Sequence, residues 1–338
     1  MADDASQPDG RRPDPQAVDL STADLPAVVR GAARRLADAG VASPRVDAEL
    51  LAAHVLAVAV GSLRSALLTG SLVLDDAQRH RLDDLVARRA RREPLQHLTG
   101  TAAFRHLELA VGPGVFVPRP ETEVVAQVAI DAARAVQERA GGGVPRVVDL
   151  CTGSGAIALS VATEVPGALT WAVELDEAAH GWASRNLRAH PGARLTLVRG
   201  DARTALRELD GTLDVVVSNP PYVPGDAVPV DPEVARHDPP VALYGLGEDG
   251  LEVPRGIVAA AVRLLRPGGV FVMEHAEVQG AAVRDLLTGD GCWEDVRTRS
   301  DLTGRERMVV AARSATPAPS APASAPPTVV PLVKDSAP

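Results

Sequence analysis

The stretch "RVVDLCTGSGAIALS" (residues 146–160) runs from a short apolar segment straight into a glycine-bearing turn and then into a run of Ala, Ile and Leu. Gly153, Gly155 and Ala158 keep the spacing of a dinucleotide fingerprint, with Ala in its permitted last position. A strand, a tight turn and a helix are the expected local structure. Outward from that unit, "LTWAVE" (169–174), "RLTLVR" (194–199), "LDVVVS" (213–218) and "GVFVME" (269–274) are further short apolar strand candidates, most of them separated by helical stretches. This alternation predicts an α/β fold built on a mainly parallel sheet covered on both faces.

The glycine turn alone fits three things: NAD, S-adenosylmethionine, or no ligand at all. Glu174 closes the next strand, where a carboxylate accepts hydrogen bonds from ribose hydroxyls in either ligand. Two details favour the methyl donor. Asp149 lies just before the turn, where it can orient the loop and face a cationic ligand. Asp201 in "RGDA" (199–202) ends the third strand, where it can accept from an adenine amino group.

The fourth strand ends in "SNPPY" (218–222). Two adjacent prolines donate no backbone hydrogen bonds, so the segment neither extends the strand nor begins a regular helical turn. In a doubly wound sheet the first and fourth strands flank the switch point, and this turn then faces the donor loop. Methylating a planar amide or aryl amine needs acceptors on its N–H groups, because positive charge builds on nitrogen as the methyl arrives. The Asn219 side-chain oxygen and the Pro220 carbonyl supply two acceptors, proline fixes the backbone, and Tyr222 offers a flat wall. A Pro-rich exit loop with Asn219 merely capping is the alternative without chemistry.

The chain has 338 residues, 46% hydrophobic but only 2% aromatic, so Ala, Val and Leu must fill its core. Its formal net charge is −9 and its only lysine is Lys334. An acidic chain is poorly suited to gripping a nucleic acid backbone, whose affinity comes mainly from phosphate neutralisation, but it suits a basic protein partner. Cys151 and Cys292 are the only cysteines, which excludes a disulfide framework and points to a reducing compartment. No apolar run approaches a spanning helix and the N-terminus is polar, so a soluble, cytoplasmic protein is expected.

Residues 1–20 are polar and aperiodic, and 313–338 form a Pro/Ala/Ser tail; both are expected to be unstructured. Between Ser21 and Arg92 the pattern is helical and predicts a small all-α domain. Val28, Ala32, Leu36 and Ala39 share a face before Gly40. A second helix opens with Ser43 as N-cap and Pro44, then carries Val46, Leu50, Leu51, Val55 and Leu56. A third spans 75–93, and its arginines at 88–92 are expected to be a solvated helix end.

Taken together the chain resembles the release factor glutamine methyltransferase family over residues 22–312. Beyond the two site motifs, "PLQHLTG" (94–100), "VFVPRPETE" (115–123), "EVARHDPPVALYGLGEDGL" (233–251), "MEHAEVQG" (273–280) and "DLTGRERMVVA" (301–311) carry the likeness. Ala276 stands where the family commonly has Gly. The resemblance implies a Rossmann-like class I S-adenosylmethionine-dependent methyltransferase domain (118–312), preceded by a release-factor-holding helical domain (21–92) and a linker or hairpin (93–117). It implies that Asp149, Cys151, Thr152, Gly153, Ser154, Gly155, Glu174, Asp201, Ala202 and Asn219 hold S-adenosylmethionine, with no metal. Asn219, Pro220, Pro221 and Tyr222 would hold the glutamine amide of a class 1 peptide chain release factor. Phe104 would supply a nearby aromatic, with a core ring as its alternative reading, and Arg119 and Glu121 would brace the site. The enzyme is expected to act as a monomer, without nucleic acid or membrane.

An adenine N6 DNA methyltransferase would use a similar turn, but on a base extracted from the duplex and with a basic recognition face. Guanine N2 methylation of ribosomal RNA shares the turn; the linker and "PRPETE" motifs oppose it. An NAD oxidoreductase leaves the turn unexplained, and a non-enzymatic binding module leaves both motifs so.

Overall fold

The computed structural model describes residues 24–139, 142–289 and 291–315. The unstructured readings of 1–20 and of the tail from 316 onward lie outside the described residues. The tail's first residues belong to the fold, because Arg313 closes the last strand and Ser314 is buried, its hydroxyl donating to Glu294 at 2.8 Å.

The chain divides into two units, Met1–Thr99 and Gly100–Pro338. Among the described residues the first holds helices and no strand: α1 (Leu25–Asp38), α2 (Pro44–Leu56), α3 (Val60–Thr69), α4 (Asp76–Ala90) and α5 (Leu95–Thr99). Leu25, Val29, Ala32 and Leu36 form the buried stripe of α1, which shares Ala32 and Leu36 with the expected face but has Val29 in place of Val28 and starts at Leu25 rather than running on to Ala39. Gly40 stops the helix with a positive φ of 73°. On α2 the inward face is Ala48, Leu51, Ala52 and Val55, whereas Val46, expected inside, is 44% exposed. Ser43 sits at the N-cap position, but its side chain makes no capping bond. The cap with chemistry is Asp75, which accepts from Gln78 N while Gln78 returns a bond to Asp75 N, a full capping box for α4.

Of the arginines at 88–92 only Arg91 is exposed, and the other three are tied into the unit. Arg89 is buried and bound to the equally buried Asp47 at 2.7 Å, Arg88 grips Glu93 through two bonds, and Arg92 donates to Gly40 O. They staple the helical unit internally.

The second unit begins with the hairpin β1 (Thr101–Phe104) and β2 (Leu107–Ala110), then α6 (Thr122–Glu138). There follow β3 (Arg146–Leu150), α7 (Ala156–Glu164), β4 (Leu169–Glu174), α8 (Glu177–Ala189), β5 (Leu195–Arg199) and β6 (Leu213–Ser218). Two short helices, α9 (Pro232–His237) and α10 (Pro240–Leu243), precede α11 (Glu252–Leu264), β7 (Leu265–Glu274), α12 (Gly280–Thr288), β8 (Trp293–Ser300) and β9 (Glu306–Arg313). The sheet order is β5-β4-β3-β6-β7-β9-β8, parallel through β7 and antiparallel at β9 and β8. β6 is buried along its whole length, as expected of a central parallel strand covered on both faces. Two apolar layers flank the sheet, one around Phe271 and Ile257, the other around Ile130 and Leu159.

Candidate active site

Register brings the site together. Leu150 of β3 pairs with Val173 on one side and Ser218 on the other, and Ser218 in turn pairs with Met273. Cys151, Glu174, Asn219 and Glu274 therefore sit at or just beyond the carboxyl ends of four adjacent strands. The order reverses at β3, so this edge is the switch point where open α/β sheets bind ligands.

The donor half is built from backbone. Cys151, Gly153 and Gly155 all have positive φ (63°, 58° and 85°). A Cβ added at Gly153 would meet nothing, so this glycine borders open space rather than packed chain. Glu174, 8% exposed, accepts from Gly153 N and Asp176 N at 2.8 Å each, and its burial raises the carboxyl pKa. Thr152 and Ser154 face inward: the Thr152 hydroxyl donates to Asp149 at 2.6 Å, and Ser154 O accepts from Asn186. Asp149 is fully buried, also accepts from Ala158 N at 3.1 Å, and is pushed up to about 7 by burial. It ties the turn to α7 and does not line the adjoining cavity.

That cavity measures about 410 Å³ and is lined by Cys151, Gly153, Glu174, Asp201, Ala202 and Pro221, among others. Its volume falls in the ~300–1,000 Å³ range of small-molecule sites. Both Asp201 oxygens accept from Arg203, at 2.7 to 3.1 Å, and that hydrogen-bonded partner holds the carboxyl below its usual range. Open glycine backbone, a carboxylate at the end of β4 and an enclosed apolar space fit a nucleoside with a charged tail, so the residues present suit S-adenosylmethionine.

The acceptor half is built from side chains. Beyond Ser218, whose hydroxyl donates to Leu150 O at 2.7 Å, the chain turns through Asn219 and the two prolines. The Tyr222 and Val223 amides donate to Leu243 O at 3.1 and 2.8 Å, and Gln279 Nε2 donates to Tyr222 O at 2.8 Å. The glycines of "YGLGEDG" let a second strand of backbone approach: a Cβ on Gly245 would lie 2.7 Å from Pro221 O, and one on Gly250 2.5 Å from Tyr222 O. Asn219 Nδ2 donates to Thr122 Oγ1 at 3.3 Å. Among the described residues, neither Asn219 Oδ1 nor Pro220 O has a hydrogen-bond partner, and Asn219 and Pro220 line a second cavity of about 390 Å³. A gap of about 40 Å³, lined by Gly153, Thr122, Asn219 and Phe116, lies between the two halves.

Phe104 does not reach this site. It is 1% exposed and packed in the apolar layer with Leu107, Val125 and Ile130. The aromatic at the site is Phe116, which lines both larger cavities and the gap between them. Its signal was the alternation in "GVFVP": Val115 and Val117 are buried, which turns Phe116 the other way. Arg119 holds its guanidinium 4.9 Å from the Phe116 ring centre and is bound to Asp238 at 2.6 Å. For Glu121 the contribution is electrostatic, a like charge near Glu274. Ala276 adopts φ −64°, ψ 146°, extended backbone open to any residue, so replacing the family's Gly costs nothing there.

The profile of the PrmC N-terminal domain matches residues 27–100, and that of the methyltransferase small domain matches 132–235. The release factor glutamine methyltransferase of Streptomyces coelicolor is 52% identical over 291 residues, 86% of this chain and 98% of that protein. That of Mycolicibacterium smegmatis is 47% identical over 299 residues, 86% and 98% of the two chains. The 4-amino-L-phenylalanine/4-methylamino-L-phenylalanine methyltransferase of Streptomyces pristinaespiralis is 42% identical over 289 residues, 85% and 94%.

Proposed function

The chain belongs to the release factor glutamine methyltransferase family, and we propose that it methylates the side-chain amide nitrogen of the glutamine in the Gly-Gly-Gln loop of class 1 peptide chain release factors. The observation that carries this reading is the pair of unpartnered acceptors, Asn219 Oδ1 and Pro220 O, separated from the glycine turn only by the small gap beside Phe116. S-adenosylmethionine, when bound, supplies the methyl group as an electrophile and leaves as S-adenosylhomocysteine.

The rest is the work of this chain. Gly153, Gly155 and the carboxylate of Glu174 hold the donor, with Cys151, Asp201 and Ala202 along its cavity. Asp149 shapes the loop from behind, and Thr152 and Ser154 border the gap between the two halves. Asn219 and Pro220 accept from the two N–H bonds of the glutamine amide, pointing its nitrogen across the gap. They stabilise charge that exists only as the N–C bond forms, which is the differential binding that accelerates a reaction. Pro221 and Tyr222 keep the turn rigid and Phe116 keeps water from the gap. The amide proton is lost after transfer, so no strong base is required. The helical unit holds the release factor, and the enzyme acts as a cytoplasmic monomer.

The S. pristinaespiralis relative supports a second reading, a free aryl amine as acceptor, because the same two acceptors suit any planar nitrogen. Incubation with methyl-labelled donor, release factor, its Gln→Ala loop variant, 4-aminophenylalanine and RNA separates these. Label on the release factor and none on the variant is expected. Label on RNA or the free amino acid alone would overturn the assignment. Among the described residues no single helix is long and apolar enough to cross a membrane.

A further inference from the structure

Glu274 ends β7 beside the acceptor turn, is 3% exposed, and uses both carboxylate oxygens. Oε2 accepts from the Thr122 hydroxyl at 2.8 Å and Oε1 from the Tyr222 hydroxyl at 3.3 Å. Thr122 then accepts from Asn219 Nδ2. One buried carboxylate thus holds both ends of the Asn-Pro-Pro-Tyr turn, and register explains its place, since Ser218 pairs with Met273. From this geometry we infer that Glu274 is a positioning residue for methyl transfer, fixing which way the Asn219 amide points.

The argument is one of hydrogen-bond polarity. A threonine hydroxyl has one proton to give. With the carboxylate ionised, that proton goes to Glu274, so Thr122 can only accept from Asn219, and the Asn219 amide must turn its NH₂ inward and its oxygen to the substrate. Protonating Glu274 reverses the chain: the acid donates to Thr122, the threonine proton is freed for Asn219 Oδ1, and the NH₂ then faces the glutamine N–H groups. A donor facing a donor cannot support charge developing on nitrogen. Oε1 of the protonated acid still accepts from the Tyr222 hydroxyl, so the change acts at the Asn219 end of the turn.

Several groups face this carboxylate. Burial and Glu121 raise its pKa, whereas the Thr122 hydroxyl from α6, Arg307 from β9 and the Tyr222 hydroxyl lower it, leaving it at about 7. Arg307 is itself held by Asp301 through two bonds of 3.1 and 3.2 Å. The adjacent His275 is driven below its ordinary value, by burial first.

The inference rests on the methyltransferase reading, and one experiment tests both. Single-turnover transfer to the release factor is measured from acid to alkaline pH, at saturating donor, for the unaltered chain and for Glu274→Gln, Thr122→Val and Thr122→Ser; donor Kd is measured on the same preparations. Expected is an acid limb in the unaltered chain with an apparent pKa near 7. Glu274→Gln should remove that limb and lower the plateau about 100-fold, the scale of losing one preorganised transition-state contact. Thr122→Val should act in the same direction, Thr122→Ser should regain most of the loss, and donor Kd should hold within about two-fold, since neither residue lines the donor cavity. Transfer by Thr122→Val at the unaltered rate, or an acid limb that persists in Glu274→Gln, would overturn the positioning role while leaving the methyltransferase reading intact. No transfer by the unaltered chain would overturn the reading and the role with it.

Discussion

The two halves of the site are made of different material. The donor half is backbone: a turn with three positive-φ residues, one carboxylate that accepts from Gly153 N, and a cavity. The acceptor half sets one backbone carbonyl, Pro220 O, beside a chain of side chains, Asn219 to Thr122 to Glu274 to Tyr222, gathered from three distant segments. Binding a donor requires a shape that fits once. Transferring a methyl requires acceptors that are rightly polarised at the moment charge appears; the Pro220 carbonyl can only accept, whereas the Asn219 amide has two ends and needs the side-chain chain behind it to present its oxygen. Substitutions should therefore separate cleanly, affecting donor affinity or transfer rate but not both.

The largest expected effect sits outside either half and guards the comparison against a trivial explanation. Phe104→Ala should cost about 3–5 kcal/mol of stability, by loss of a fully buried ring, without altering donor Kd or acceptor KM in the folded fraction. Chemical denaturation measures it, and a raised acceptor KM at unchanged stability would return Phe104 to the site. Phe116→Ala is its counterpart, expected to raise both KM values and leave stability nearly unchanged.

Next comes Asn219→Ala, which should lower transfer about 100- to 1,000-fold with donor Kd unchanged within about two-fold. Calorimetry on the preparation used for kinetics checks both. Equal losses in affinity and rate would mean the halves are not separable. Gly155→Val probes the opposite half: a β-branched residue at φ 85° costs about 1–3 kcal/mol, so donor Kd should rise about 5- to 100-fold. The smallest effect is Arg119→Lys, which gives up the flat guanidinium over Phe116 and should raise acceptor KM only about two- to five-fold, the worth of an exposed cation–π contact.

Much of the donor half was legible in the sequence because it is local. "RVVDL", "LTWAVE" and "LDVVVS" coincide with β3, β4 and β6, and the glycines need their special φ within one short turn. The acceptor half was legible only at Asn219, Pro220, Pro221 and Tyr222. Thr122 and Glu274 are far from the turn in sequence and meet it only through the β6–β7 register and the start of α6. A glutamate ending an otherwise apolar strand, "VFVME", is the one trace that Glu274 left. Phe104 and Phe116 look equivalent beside their motifs, and only the alternation around Phe116 distinguishes a ring that faces a cavity from one that faces the core. On α2 the helical pattern offered Val46, but Ala48 and Ala52 are buried and Val46 is exposed.

The most direct test of the whole account is peptide mass spectrometry of a class 1 release factor after incubation with this enzyme and S-adenosylmethionine. A single added methyl on the side-chain nitrogen of the Gly-Gly-Gln glutamine, absent when Asn219→Ala enzyme is used, is the predicted result. A methyl on any other residue, or an unmodified release factor alongside methylated 4-aminophenylalanine, would contradict it.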